Sequence, residues 1–330
     1  MALPLGNDDA HAAFARAMAS GSMHHAWLFT GPEGIGKATF AKTAAMRLLA
    51  ESAATGQLPP GFEVPAGDRT RTLIEAGSHP DYRVLARLPK DADKPDAELA
   101  RSITIAQVRS LLPMFATKPS MSPRRVILID AVDDLERPGA SNALLKNLEE
   151  PPQGTVFILV SHAPGRLLPT IRSRCRRLRF EPLDDATMRQ VLLEKLPGAP
   201  DAELAAMISA AGGSPGRALG YAGLAMAELD DAMTSLAALG DANNKLRLTL
   251  AKALGLKAAQ PRYEAFLDRA PTFIAAAAKA RQGEGLRNAV DAYETARNLA
   301  ASARALSLDA QATAYEMAGI VARLASSADT

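Results

Sequence analysis

The chain has 330 residues, of which 48% are hydrophobic and 22% charged, with a formal net charge of +2. That balance is ordinary for a soluble protein of two or three domains, and it excludes a global basic field that would demand nucleic acid, leaving only a local basic strip open. The single cysteine, Cys175, excludes an internal disulfide framework and any multi-cysteine zinc site. No apolar run approaches the roughly 20 residues that span a membrane, and no basic segment followed by an apolar core opens the chain, so a cytoplasmic protein without a signal peptide is expected.

Along the chain, Ala26-Trp27-Leu28-Phe29 predicts a buried strand running into Gly31-Pro32-Glu33-Gly34-Ile35-Gly36-Lys37-Ala38-Thr39, and Phe40, Ala44 and Leu48 mark one face of the helix after it. Residues Glu51 to Ser78 predict an irregular insertion with a short helix at its end. Tyr82–Leu85 is a strand candidate, Lys90 to Glu98 a mobile charged loop, and Ile105 to Met114 a helix starting near Thr104. Val126–Ile129 and Val156–Val160 are continuously apolar, as strands covered on both faces are. Between them Ala140 to Glu150 predicts a helix stopped by Pro151-Pro152, and Leu178–Phe180 a short last strand. Strands alternating with helices imply a parallel sheet.

After Glu181-Pro182 strands stop. Asp184 is an N-cap, with Leu183 and Met188 placed as a hydrophobic staple, for a helix marked by Met188, Val191, Leu192 and Lys195. A second helix covers Asp201 to Ala211 and ends at Gly212-Gly213. From Met226 the chain is alanine-rich and helical. Leu286, Val290, Tyr293, Ala296, Ala300 and Ala303 form one expected buried stripe, and Ala314, Met317, Val321 and Leu324 another. There is no internal repeat. The layout is an α/β domain, a small helical domain and a helical C-terminal domain.

Gly31, four residues, Gly36 and Lys37 have the spacing of a phosphate-cradling P-loop, set as such a loop requires between a strand and a helix. Backbone N–H groups and the helix dipole favour a phosphate there, with Lys37 as a point charge; the other reading is a glycine-rich turn without a ligand. The hydroxyl that should come after the lysine and hold Mg²⁺ is missing, because Ala38 stands there. Asp130 ends its strand in the Walker B position, but the next residue, typically a glutamate that polarises the attacking water, is Ala131. Asp133 is either a substitute acid or a cap for the segment beyond the strand. Two losses on one reaction predict poor or absent ATP hydrolysis and leave nucleotide binding open.

Ser161 ends the next strand, either near a γ-phosphate or simply as a strand-terminal serine. Ile171 to Arg177 is a dense basic run. It is either a solvated face or, through Arg174, an arginine finger for a neighbour's nucleotide, worth roughly 10³–10⁵ in rate. Arg217 either reaches a nucleotide from the small helical domain or starts a helix. Cys175 fits a buried small residue, and His24 and His25 fit structural roles. No chemistry is legible from the spacing of His79-Pro80-Asp81-Tyr82.

Taken in order, His25–Pro32, Gly34–Lys37, His79–Tyr82, Ile103–Arg109, Asn142-Ala143-Leu144-Leu145-Lys146-Asn147-Leu148-Glu149-Glu150-Pro151-Pro152 and Arg172–Cys175 resemble the AAA+ clamp-loader family of bacterial DNA polymerase III, specifically its delta-prime type. The likeness runs from about residue 24 to 220 and beyond that is one of length and helical character. The resemblance implies a P-loop AAA+ parallel-sheet domain over residues 1–182, a helical lid over 183–223 and an all-α collar over 224–330. The collar would hold a pentamer with the gamma/tau and delta subunits, whose motor subunits bind ATP, whose delta subunit opens the sliding clamp, and whose chamber takes primer-template DNA. It makes Arg174 of Ser173-Arg174-Cys175 an arginine finger in trans and puts Ser161 at sensor 1 and Arg217 at sensor 2. With these, Gly31, Gly34, Gly36, Lys37, Thr39 and Asp130 become the nucleotide-binding residues for ATP or ADP.

The implied function is a largely non-hydrolysing scaffold that donates Arg174 to a neighbouring ATPase while the clamp is loaded. It would be a component of the polymerase holoenzyme with no polymerase chemistry of its own. Many members carry a four-cysteine zinc module between the P-loop helix and the His-Pro-Asp segment; residues Glu51 to Ser78 contain no cysteine, so a thiolate zinc site is excluded. The competing reading is a self-sufficient P-loop ATPase such as a motor subunit, for which Lys-Thr or Lys-Ser and Asp-Glu would be expected. A third, a nucleic-acid-binding module built on Arg172–Arg179, is opposed by the balanced charge and the five scattered tyrosines.

Overall fold

The continuously apolar strands do become the centre of a sheet. The computed structural model describes residues 3–21, 23–53, 58–91 and 98–325, which divide into two compact units, Met1–Leu183 and Asp184–Thr330. In the first unit the elements are α1 (Asp8–Ala19), β1 (Ala26–Thr30), α2 (Lys37–Ala53), α3 (Arg69–Glu75), β2 (Tyr82–Ala86), α4 (Ile105–Arg109), α5 (Leu112–Phe115), β3 (Arg125–Asp130), α6 (Gly139–Glu149), β4 (Thr155–Ser161), α7 (Pro169–Ser173) and β5 (Arg176–Arg179). The strands pair in parallel in the order β2-β3-β4-β1-β5.

Alternation along each strand sorts the apolar residues into two cores. Trp27, Phe29, Val126, Leu128, Val156 and Ile158 join α1 and α2, where Phe14, Phe40 and Leu49 are fully buried. Ala26, Leu28, Ile127, Ile129, Phe157 and Leu159 face the other way, onto Val108 of α4 and Leu144 and Leu148 of α6. A parallel strand clad on both sides has no solvent face to keep polar, hence the unbroken apolar text.

One expectation needs revising, one element was not expected, and one expected loop lies largely outside the described residues. Helix α1 has no counterpart in the sequence reading, although Ala10, His11, Phe14 and Ala17 share its buried face. The helix expected over Ile105 to Met114 is two pieces. Thr104 and Gln107 close a capping box on α4, and α5 restarts with Pro113 in its first turn, where proline's missing N–H breaks the intervening ladder. Residues 92–97 of the expected mobile loop lie outside the described residues; on either side, the Lys90 backbone N–H donates to the Glu98 carbonyl at 2.9 Å.

The second unit holds α8 (Asp185–Lys195), α9 (Asp201–Ala211), α10 (Pro215–Gly220), α11 (Met226–Leu239), α12 (Lys245–Leu254), α13 (Gln260–Ala278), α14 (Gly283–Leu306) and α15 (Ala310–Ala322). Asp184 caps α8 by accepting from the Thr187 N–H at 2.8 Å, and α9 ends on Gly212 in the left-handed region at φ 58°. Buried Arg269 of α13 pairs with Asp230 of α11 at 2.8 Å and donates to the Ser209 hydroxyl of α9 at 3.0 Å, tying three helices together. The stripe expected on α14 is corrected at its start. Leu286 and Val290 are 38% and 43% exposed, and Gly285, Ala289 and Ala292 are buried beside Ala296, Ala300 and Ala303. Small side chains let neighbouring helices approach closely, so the packed face of α14 tracks alanine and not the larger apolar residues. On α15 and just beyond it Ala314, Met317, Val321 and Leu324 are all buried.

Candidate nucleotide site and arginine cluster

Strand β1 ends at Thr30 and α2 begins at Lys37, so the intervening loop sits at the carboxyl edge of the sheet. Gly31, Gly34 and Gly36 take φ of 147°, 78° and 95°, which other residues adopt only with strain. A side chain at Gly31 would also collide with the Phe180 carbonyl oxygen, because the chain leaving β5 passes against the loop. At Gly36 a Cβ would lie 3.1 Å from that of Pro4, so the N-terminal segment rests on the loop.

Lys37 is only 2% exposed. Its Nζ donates to the Gly31 carbonyl at 2.7 Å and to the Pro32 carbonyl of its own loop. Burial pulls its pKa down to about 8, against the pull of Asp130, Asp133 and Glu33, which favour the ammonium. Asp130 ends β3 and is pushed above the usual carboxylate range by burial, with His162 and Lys37 opposing. Ala38 is half-buried at the loop's exit, and Thr39 is exposed, its carbonyl accepting from the Thr43 hydroxyl at 3.0 Å. A cavity of about 600 Å³ opens beside the loop, lined by Thr30, Gly31, Pro32, His162, Arg177 and Arg179 among others.

Ala131 is buried, and Asp133, in the 3₁₀ turn after β3, is a clamp on the end of β4. It accepts from the Ser161 hydroxyl at 2.9 Å and from the backbone N–H groups of His162 at 2.6 Å and Ala163 at 3.3 Å. Asp133 therefore caps the segment after β4 and not, as expected, the turn beyond its own strand, and Ser161, fully buried, is bonded to it.

Arg174 caps the C-terminal end of α7. Its Nη2 lies 2.7 Å from Oε1 of Glu149, the last residue of α6, and its Nη1 donates to the Thr170 carbonyl at 3.0 Å. The basic run splits by strand alternation: Arg176 lies over the Trp27 ring at 5.0 Å, while Arg177 and Arg179 line the cavity beside the P-loop. Arg217 belongs to the second unit, in α10, with Nη2 3.3 Å from the Tyr221 hydroxyl. Cys175 is half-buried, and burial pushes its thiol up to about 12, the behaviour of an inert packing residue.

The segment His79-Pro80-Asp81-Tyr82, which spacing left unexplained, has a structural role. Buried Asp81 accepts from the Ser120 and Met121 N–H groups, both at 2.7 Å, and its own N–H donates to His79 Nδ1 at 3.1 Å. The Glu149 partner of Arg174 was likewise missed. Its signal was the Glu149-Glu150-Pro151-Pro152 text, where two prolines stop α6 and fix where a carboxylate emerges.

A parallel sheet in this order, with a P-loop leaving β1, an acid ending β3 and a second helical unit after β5, defines a P-loop α/β protein of the AAA+ class. Residues 6–184 match the family described as DNA polymerase III, delta subunit, and the chain belongs to that family. The DNA polymerase III subunit delta' of Pseudomonas aeruginosa is 37% identical over 191 residues, which are 58% of this chain and 53% of that protein. The subunit delta' of Bacillus subtilis is 35% identical over 173 residues, 52% and 47% of the two chains. A gamma/tau subunit of Mycobacterium bovis is 30% identical over 260 residues, 71% of this chain and 42% of its own. The chain therefore spans about half the length of the relatives it matches. A solved gamma-subunit-related protein from Thermotoga maritima aligns with 95% of this chain and 99% of its own at 16% identity and a TM-score of 0.48, too distant a likeness to weigh.

Proposed function

We propose that this chain is a delta-prime-type subunit of a DNA polymerase III clamp loader. It keeps a nucleotide-binding loop with little or no hydrolysis of its own, and supplies Arg174 to the nucleotide of a neighbouring ATPase subunit. The observation that carries this reading is the state of the loop. The three glycines take positive φ and Lys37 is buried at the loop's end, which supports a phosphate cradle, while Ala38 and Ala131 stand where residues that hold Mg²⁺ and activate water would be expected. A triphosphate or diphosphate would be held by Gly31, Gly34, Gly36, Lys37 and Thr39, with Lys37 exchanging loop carbonyls for phosphate oxygens and Asp130 near the metal. Ser161 and Arg217 are assigned to the nucleotide by the resemblance alone.

The partners under this reading are gamma/tau and delta subunits and, through the complex, the sliding clamp and primer-template DNA. The subunit would work in the cytoplasm, and among the described residues no helix is long and apolar enough to cross a membrane. The helical part of the chain would comprise a lid over 183–223 and a collar over 224–330.

Calorimetric titration of the purified chain with ATP and Mg²⁺, with turnover measured on the same sample, tests the first half. Binding without turnover is expected. Robust hydrolysis abolished by Lys37→Ala would replace this reading with that of a motor subunit. For the second half, Arg174→Ala in the reconstituted loader should leave assembly intact and cut DNA-stimulated ATP turnover about 10³-fold or more. Unchanged turnover would remove the finger assignment.

A further inference from the structure

An arginine finger must present a long, four-torsion side chain at one place, and a free arginine at a surface spreads over many rotamers. Arg174 is not free. Its guanidinium is held from two sides, by the Glu149 carboxylate at the end of α6 and by the Thr170 carbonyl one turn back on α7. The Glu149 end of that contact is itself fixed. Leu148 is fully buried in the core under the sheet, its carbonyl meets His25 Nε2 at 3.2 Å, and the Glu150 N–H donates back to the Lys146 carbonyl at 3.1 Å before Pro151 stops the helix. The two bonds use two of the five N–H donors of the guanidinium, so the group stays partly exposed with donors left for a phosphate.

We infer that Glu149 is a positioning residue for Arg174, fixing the guanidinium at the edge of α6 and α7 in the attitude from which it reaches the neighbouring subunit's nucleotide. This rests on the arginine-finger reading and adds to it the group that sets the finger's geometry. Glu149 acts through Arg174 and touches no reacting atom. The pair is substantially exposed, 42% at Glu149 and 35% at Arg174, and a surface ion pair of that kind contributes little to folding. Loss of Glu149 should therefore leave the fold and the assembly intact, which keeps the test readable.

The experiment reconstitutes the loader with its cognate gamma/tau and delta subunits and measures DNA-stimulated ATP turnover for Glu149→Ala, Glu149→Gln, Arg174→Ala and the Glu149→Ala/Arg174→Ala double variant. Glu149→Ala is expected to lower kcat about two- to fivefold with KM for ATP unchanged, the scale on which a surface ion pair of up to about 1 kcal/mol can bias one arginine's rotamers. Glu149→Gln, which keeps an acceptor oxygen, should recover part of that loss. On the Arg174→Ala background, Glu149→Ala should add nothing. Wild-type kcat in Glu149→Ala while Arg174→Ala is severely impaired would overturn the positioning role and leave the finger standing. A further multiplicative loss in the double variant would also overturn it, because Glu149 would then act independently of Arg174. Unchanged turnover in Arg174→Ala would overturn the finger reading and this one with it.

Discussion

Lys37 is the residue on which the candidate site turns, and its chemistry in the isolated chain is that of a buried ammonium bonded, among the described residues, to carbonyls of its own loop. Burial holds its pKa at about 8, below the usual 10.5, so between those values the unfolded chain binds a proton that the folded chain does not. Stability therefore rises with pH across that window, and the penalty for the buried charge is present in full below pH 8. Lys37→Met removes the titrating group. Its thermal midpoint relative to wild type should be most favourable below pH 8, and the difference should shrink as pH climbs toward 10.5. Melting curves at pH 7, 9 and 10 check this; a constant difference would mean that Lys37 is not desolvated in the folded chain. A phosphate at the loop would favour the charged form, so nucleotide affinity should weaken as pH passes 8.

At the scale of elements, α1 is joined to the P-loop helix by aromatic packing. His11 of α1 is 5% exposed, stacks on Phe40 of α2 with centroids 4.3 Å apart, and approaches Phe62 and Phe180 edge-on. Among the described residues neither ring nitrogen has a hydrogen-bond partner. Burial lowers its pKa below the usual 6.5, with Asp8 opposing, so stability is lost as pH falls through 6.5 toward the folded value. Replacing the ring by an apolar one ends both the unpaired nitrogens and the acid sensitivity. His11→Phe should stabilise the protein by about 1 kcal/mol near neutrality and by more at pH 5, read from denaturant midpoints. Equal gains at both pH values would show that burial does not resist protonation.

The same elements show what was legible in the sequence. Strands β1, β3 and β4 could be read because a strand covered on both faces is apolar throughout, and α6 because two prolines end it. The P-loop could be read because its glycines are required by backbone geometry whatever surrounds them. Helix α1 and the packed face of α14 could not, because both bury alanines, whose presence tells little about direction. The role of Asp81 and the pairing of Arg174 with Glu149 were hidden for a different reason. Each joins residues separated by 25 residues or more, 149 to 174 and 81 to 120 and 121, and only the sheet topology brings them together.

At the scale of the whole molecule, each unit carries its own core. The first is built on the sheet; the second is built of helices and locked internally by Arg269, Asp230 and Ser209. A ligand stabilises the unit whose folded state binds it, by about 2.7 kcal/mol at a hundred times its dissociation constant. The P-loop, Lys37 and Asp130 all lie within Met1–Leu183. Saturating Mg-ATP should therefore slow amide hydrogen exchange in residues 31–36, in the first turns of α2 and at the end of β3, while leaving the centres of α13, α14 and α15 at their unliganded rates. Lys37→Ala should erase the protection in the first unit. Slower exchange appearing only in α13 to α15 would place the nucleotide outside the loop. No protection anywhere, with the chain folded, would make the loop a relic of architecture and leave the finger proposed at Arg174 as the chemistry still to test.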